Sequence, residues 1–331
     1  MTIEKLLSQI NEEIQKTTYG THPKELYEPI SYLMALGGKR IRPLLVLLSY
    51  GIFRNDYKTI LRPALAVEVF HNFTLMHDDI MDKAPLRRNQ PTVHQKWNEN
   101  IAILSGDVML VSAYTLLFNI IPKVGNDKLE DILLQFNVCA AQVCEGQQLD
   151  MNFESLPTVS EEDYIKMIRL KTAVLLGFSL YMGAILADAP QEDANLLYDF
   201  GVNIGVGFQL KDDLLDVYGD KDKFGKQVGG DIAANKKTFL LIEALNLANE
   251  TQKKNLDFWL AKTTFDNNSE LEEKVNAVTS IYNELNIKEL TEKKIQFYFD
   301  KAFKSLMQLH VTPARKQLLE GFTRDLINRE N

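Results

Sequence analysis

Residues 62–83 read RPALAVEVFHNFTLMHDDIMDK. Pro63 suits the first turn of a helix, where its missing N–H has no partner to lose. Apolar residues then return at helical spacing as far as Met81, which predicts a long buried helix. Three carboxylates, Asp78, Asp79 and Asp82, close that pattern. Residues i and i+4 share a helical face, so Asp78 and Asp82 project together, with Asp79 displaced by one position. Carboxylates in such apolar company are expensive without partners, so something has to make three of them tolerable.

The same period recurs along the chain, in IRPLLVLLSYGIF (41–53), GDVMLVSAYTLLFNII (106–121), YIKMIRLKTAVLLGFSLYMGAIL (164–186) and KTFLLIEALNLANE (237–250). Runs of alternating β-branched residues are missing, which predicts a sheet content near zero. Pro85, Pro91, Pro122 with Gly125, Pro157, Pro190 and the glycine-bearing stretch 219–230 separate the helical segments. The expected fold is a single all-α domain over residues 1–331, of roughly ten or more helices.

Of the 331 residues 45% are hydrophobic and 25% charged, the composition of an ordinary globular protein. With 37 Lys plus Arg against 45 Asp plus Glu, a nucleic-acid partner held by a basic surface is not expected. The net charge of −8 gives no reason for stable membrane binding. The opening MTIEKLLSQINEEIQK spreads acids over an amphipathic pattern, unlike a signal peptide. No uninterrupted apolar run reaches about 18 residues, so no transmembrane segment is expected. Cys139 and Cys144 make neither a metal pattern nor a disulfide framework, which suits a cytoplasmic protein.

The acidic spacing D-D-x-x-D returns in LKDDLLDVYG as Asp212, Asp213 and Asp216. One such cluster could be a solvated helix face; two, each within apolar helix, point to cations that neutralise like charges. Aspartate oxygens suit Mg²⁺, which completes its octahedron with water and phosphate oxygens, so a phosphate ester, and more narrowly a diphosphate, is the expected ligand. Glu68 and His71 also stand at the Glu-x-x-His spacing of di-iron bundles. That architecture needs a second such pair, which His22, His77, His94 and His310 do not offer.

A diphosphate site should also gather cations. In ALGGKRIRPLL, Gly37 and Gly38 precede a helix that Pro43 can start, and Lys39, Arg40 and Arg42 crowd its N-terminus, the ingredients of an anion site. In PLRRNQPTVHQ, Arg87 and Arg88 follow Asp82 closely enough to reach the same pocket. In GDKDKFGKQVGGDIAANKKT, Lys226, Lys236 and Lys237 punctuate a segment suited to closing over phosphates.

Taken in order, GGKRIRP, HDDIMD with RRNQPTVH, EGQQLD, KTA, FQLKDDLLD and GKQVGGDIAANKKT resemble the trans-isoprenyl diphosphate synthases, or polyprenyl synthetases. The resemblance implies the isoprenoid synthase fold, an orthogonal helical bundle around a central cavity, and a homodimer. It implies head-to-tail condensation of isopentenyl diphosphate with an allylic diphosphate (dimethylallyl, geranyl or farnesyl). On the matching positions, Asp78, Asp82 and Asp212 would be the main ligands of about three Mg²⁺ ions, supported by Asp79, Asp213 and Asp216. Arg87, Lys171, Lys226 and Lys236 would hold the allylic diphosphate; Gly38, Lys39, Arg42, His71 and Arg88 would hold isopentenyl diphosphate; Lys171, Thr172 and Gln209 would lie at the reacting carbons. Two positions depart from the family's usual glycine, Asn89 and Asn235, so loop shape rather than chemistry is expected to differ.

At 1.5 Å per residue, Phe73 lies about 7.5 Å below Asp78, on the expected path of a growing hydrocarbon tail. The resemblance makes Phe73, beside Thr74, the chain-length residue, with Phe70 a deeper stop. The expected product is geranylgeranyl diphosphate, with farnesyl diphosphate next and longer chains after it. A terpene cyclase would lack GGKRIRP, and a non-catalytic subunit of a heteromeric synthase would tend to lose acids that are all present here.

Overall fold

The apolar period of residues 62–83 becomes a helix in the computed structural model, which describes residues 2–119, 125–219, 229–262, 264–265 and 268–328. In chain order, α1 (Ile3–Lys16), α2 (Lys24–Ala35), α3 (Ile41–Phe53) and α4 (Leu61–Met81) lead to a hairpin of β1 (Leu86–Arg87) and β2 (Gln90–Pro91). After it come α5 (Val93–Lys96), α6 (Glu99–Phe118), α7 (Asn126–Ser155) and α8 (Glu161–Ile168), then a π-helical turn, Arg169–Ala173, running into α9 (Val174–Leu186) and α10 (Gln191–Tyr218). The rest is α11 (Gly230–Ala233), α12 (Phe239–Leu247), α13 (Glu250–Ala261), α14 (Asn268–Glu284), α15 (Ile287–Gln308) and α16 (Pro313–Asn328). Among the described residues the hairpin is the whole of the sheet, so the all-α expectation holds.

Local chemistry sets the helix starts. Asn98 accepts from the Ile101 amide at 2.9 Å to open α6, and Ser160 accepts from Asp163 at 3.1 Å to open α8, whose first turn carries three acids that suit the positive end of its dipole. At α13, Asn249 and Gln252 cap each other reciprocally.

The chain divides into two compact units, each built from separate stretches. The first holds residues up to Cys139 with Leu175–Tyr198 and Gln308–Thr323. Its centre is α4, buried without interruption from Pro63 to Phe70, the pattern of a helix covered on all sides. Helix α3 packs beside it, and Ser49 of α3 donates to the Leu180 carbonyl at 2.5 Å. Aromatic rings continue from α4 into this core: Phe70 meets Phe136 at 5.1 Å, and Phe136 meets Phe178 at 5.5 Å and Tyr114 at 5.0 Å. Each of the three buried phenylalanine rings, Phe70, Phe136 and Phe178, contributes about 1.5–3 kcal/mol from area alone.

The second unit holds Ala140–Val174, Asp199–Met307 and the residues from Arg324 on. Its portion of α10 runs close to neighbouring backbone because Gly205 sits over Ala173 and Gly207 over the Phe299 ring, where a methyl group would collide. Tyr282, Leu240, Leu256 and Phe299 fill its core.

By length and composition α6 and the stretch Glu161–Leu186 are each apolar enough to cross a membrane, where the uninterrupted-run criterion expects none. The second is 83% buried within the protein, as a core helix is; the first is 39% buried and carries an uncovered apolar stripe.

Candidate active site

In the first unit, α4 delivers Asp78 and Asp79 from its last turn and Asp82 from its C-cap. Asp79 is buried, Asp78 half-buried and Asp82 exposed. The hairpin then returns the chain through a two-residue loop, Arg88 (φ 52°) and Asn89 (φ 62°). Positive φ at both central residues matches the twist of a tight hairpin, and asparagine tolerates that backbone. Asn235 is left-handed as well, at φ 54°. The two departures from glycine therefore keep a backbone that glycine favours.

The hairpin brings Arg87 onto the first motif. Its Nε and Nη2 donate to both oxygens of Asp79 at 2.7–2.9 Å, and Nη2 lies 3.9 Å from Asp78 Oδ2. This forked pair fixes guanidinium and carboxylate together. Arg88 turns the other way, and its Nη1 donates to the Gly37 carbonyl. A Cβ on Gly38 would meet the Arg88 guanidinium at 2.9–3.1 Å, so the glycine is what lets the two basic motifs close on one another. Gly37 and Gly38 adopt φ 82° and 134°, the conformations for which glycine is used.

Arg40, grouped with Lys39 and Arg42 from its place in the sequence, is a different case. It is buried and donates to Glu68 Oε1 at 2.7 Å, to the Met34 carbonyl at 2.7 Å and to Asn11 at 3.4 Å. Its charge is taken by Glu68, which makes it the internal brace of the glycine turn rather than a ligand group. The same pairing commits the Glu68 carboxylate to a cation of the protein, against the di-iron reading.

His71, on α4, sits where these cations converge. Burial, and then the guanidinium groups of Arg42, Arg88, Arg87 and Arg40, hold it well below the usual imidazole range. Burial likewise lowers Arg42 to about 10, with Glu68 opposing the shift. A neutral imidazole amid guanidinium groups describes a place where an anion is wanted. Lys39 is exposed on the same turn.

Toward the middle of α4 lie the chain-length candidates. Phe73 is buried, T-shaped against the His77 ring at 4.8 Å and tilted against Phe70 at 5.6 Å. His77 is itself seated over Gly106, 3.1 Å from the Ile103 carbonyl. Thr74 returns its hydroxyl to the His71 carbonyl at 2.8 Å.

In the second unit the π-helical turn carries Lys171 and Thr172. Such single π turns re-aim side chains and are frequent at functional sites. Gly146 of the EGQQLD motif packs on the Lys171 backbone, where a side chain would collide, and Asp150 of the same motif pairs with Lys171 Nζ at 2.5 Å. Thr172 donates to Gln209 Oε1 at 3.4 Å, and Gln209 Nε2 donates to Asp213 Oδ1 at 3.2 Å. The Tyr164 hydroxyl donates to the other oxygen of Asp213. Burial pushes Asp213 up to about 7, the Tyr164 hydrogen bond working against that rise. Asp212 is exposed, while Asp216 accepts from the Asp231 amide at 2.9 Å. Lys236 Nζ lies 3.6 Å from Asp231 Oδ1. Lys226 and most of the 219–230 segment lie outside the described residues.

Asp150, Tyr164 and Asp231 had no assigned role in the sequence. Asp150 could have been found, since EGQQLD stands out as a motif; Tyr164 carries no local signal, because its partner is 49 residues away.

Among the described residues no group of three or more His, Cys, Asp or Glu side chains draws together closely enough to hold a metal by itself. Carboxylates one helical turn apart, with oxygen donors throughout, nonetheless suit magnesium, which keeps several waters and substrate phosphates in its shell instead of an all-protein cage.

A polyprenyl synthetase family model matches residues 23–278. The chain is 41% identical over 254 residues to the short chain isoprenyl diphosphate synthase of Methanocaldococcus jannaschii, covering 76% of each chain. It is 39% identical over 247 residues to the geranylgeranyl diphosphate synthase of Methanosarcina mazei, covering 73% of this chain and 74% of that one. A crystal structure of geranylgeranyl pyrophosphate synthase superposes with a TM-score of 0.93 at 41% identity, over 100% of both chains. The order of acidic and basic motifs, the helical fold and these likenesses agree, and the chain belongs to the polyprenyl synthetase family of trans-isoprenyl diphosphate synthases.

Proposed function

We propose geranylgeranyl diphosphate as the product of this short-chain trans-prenyltransferase, formed by head-to-tail condensation of isopentenyl diphosphate with an allylic diphosphate. The carrying observation is the cation set around His71, built from Arg42 in the first turn of α3 and from Arg88, which reaches from the hairpin loop to the Gly37 carbonyl, and apart from the Asp79 pair of Arg87. A second substrate that is itself a diphosphate needs such a second anion site.

Gly38, Lys39, Arg42, His71 and Arg88 are assigned to isopentenyl diphosphate. Arg87, Lys171, Lys226 and Lys236 are assigned to the allylic diphosphate. Asp78, Asp82 and Asp212 are assigned to about three magnesium ions, with Asp79, Asp213 and Asp216 in support. Magnesium, when bound, supplies neutralisation of the negative charge on the departing diphosphate.

The residues supply the rest. Cleavage of the allylic carbon–oxygen bond leaves diphosphate and an allylic cation, and cationic donors aimed at the departing oxygens stabilise the charge where it develops; losing one commonly costs about 10²–10³ in rate. The arginine and histidine set holds isopentenyl diphosphate so that its double bond attacks the cation, and positioning carries this step. The proton lost in forming the new double bond goes to the released diphosphate. Thr172 and Gln209, tied to one another and to Asp213, present neutral oxygens to the reacting carbons, and Phe73 ends the path of the product tail.

A homodimer is proposed from the uncovered stripe on α6, where Leu104, Val111 and Phe118 recur every seven residues and are 57%, 65% and 48% exposed, with Leu134 and Val138 exposed on α7. The isopentenyl substrate is a water-soluble anion, which supports a cytoplasmic location. A single domain over the whole chain is proposed because the family match runs through stretches of both units.

The test is incubation with Mg²⁺, isopentenyl diphosphate and dimethylallyl, geranyl or farnesyl diphosphate in turn, with products sized by chromatography. A twenty-carbon product is expected from each primer; a fifteen-carbon end point identifies a farnesyl synthase, and no product from any primer overturns the assignment.

A further inference from the structure

Lys274, on α14, is fully buried, at 0% exposure. Lysine is almost never found so buried without a charged partner, and among the described residues no carboxylate pairs with this one. Its ammonium donates to neutral oxygens: Asn235 Oδ1 at 2.6 Å, the Lys262 carbonyl at 3.3 Å and the Ala233 carbonyl at 3.4 Å. The Phe265 ring centre lies 5.2 Å from Nζ. Burial, and then the charge of Lys237, lower its pKa. Taking an ammonium out of water without an opposite charge costs free energy that hydrogen bonds to neutral oxygens offset only in part. Stability is therefore a poor reason for a lysine here, and the acceptors it holds are a better one.

Those acceptors belong to the turn that carries Lys236. One end of the turn hangs on the second acidic motif, through the Gly229 amide to the Asp216 carbonyl at 2.7 Å and the Asp231 amide to Asp216 Oδ2 at 2.9 Å. The Lys236 amide closes the turn on the Asp231 carbonyl at 2.9 Å. Asn235, immediately before Lys236, is left-handed, and its side chain is gripped on both sides, accepting from Lys274 and donating to the Leu260 carbonyl at 3.0 Å. A pocket lined by Asp231, Asn235, Lys236, Lys274 and Tyr282 opens beside it.

We propose that Lys274 is a positioning residue for the allylic diphosphate, its buried ammonium setting through Asn235 the backbone from which Lys236 reaches that substrate. The proposal rests on the assignment of Lys236 made above. It gives Asn235 a task that glycine cannot perform, since glycine would supply the left-handed backbone without the acceptor.

Lys274→Met keeps the aliphatic stem and removes the donors. The expected result is a KM for the allylic diphosphate raised about tenfold, the loss that goes with one charge-assisted hydrogen bond. The KM for isopentenyl diphosphate should stay within about twofold, since its proposed contacts are untouched. Hydrogen exchange followed by mass spectrometry should quicken in the peptide 229–238 and stay unchanged in 199–216. Lys236→Ala is measured in parallel. If it raises the allylic KM and Lys274→Met does not, the proposal is overturned, whatever the melting temperature. If Lys236→Ala leaves that KM unchanged, the assignment of Lys236 fails instead; faster exchange in Lys274→Met then keeps Lys274 as anchor of the turn, and unchanged exchange removes it. Should Lys274→Met not fold, Asn235→Gly removes one acceptor at no backbone cost and is expected to raise the allylic KM about threefold; an unchanged value overturns the proposal.

Discussion

His71 illustrates how one side chain reports on its surroundings. Its imidazole is held neutral because burial and the guanidinium groups of Arg42 and Arg88 oppose a further positive charge. The unfolded chain, with an ordinary histidine near pH 6.5, takes up a proton that the folded protein resists. Below about pH 6.5 the unfolded state therefore binds more protons, and stability falls as the pH falls. Each unit of depressed pKa corresponds to about 1.4 kcal/mol at the acid end. In substrate-free protein, His71→Gln should lose this part of the acid sensitivity: urea unfolding from pH 7.5 to 5 should show a shallower decline than in the parent. Parallel declines would mean that the cations around His71 are screened. At this scale the spacing alone does not separate Arg40 from Lys39 and Arg42, because three cations in four residues look alike until burial shows which one Glu68 has claimed.

At the scale of elements, α4 combines a core helix with a working end. Its buried middle fixes its direction, so the last turn presents acids while Phe73 and Phe70 stand behind them in a continuous aromatic contact. Removing Phe73 takes away the first ring a lengthening tail would meet. Phe73→Ala should shift the products beyond twenty carbons in the chromatographic assay, at a stability cost of about 3–5 kcal/mol for the cavity. An unchanged product distribution would sink the gatekeeper role. The helix was legible from its period; the π turn at Arg169–Ala173 was not, since its sequence reads as unbroken helix from Tyr164 to Leu186. The bulge packs closely against Gly146, a contact that no local pattern encodes.

For the whole molecule, the exposed heptad stripe of α6 is the feature that isolated packing leaves unexplained. Apolar surface of that kind is disfavoured in water unless a partner covers it. Val111→Glu, at the most exposed of those positions, should shift the sedimentation coefficient from that of a dimer to that of a monomer at micromolar concentration. A dimer that survives the substitution unchanged would place the interface elsewhere.

The fold class, the two acidic motifs, the order of the basic segments and the family were all readable in the chain, because helical period and side-chain chemistry are local properties. The answer to three aspartates closing an apolar helix was readable in part, as a need for cations. Tertiary structure decided which cations answer which acids: Arg87 fastens Asp79, Glu68 withdraws Arg40, Tyr164 and Gln209 share Asp213, and Lys274 grips Asn235. Apart from Gln209 and Asp213, one helical turn from each other, these pairs join residues 8 to 49 positions apart, and whether a charge binds a ligand or braces the protein depends on burial and on neighbours that only the folded chain assembles.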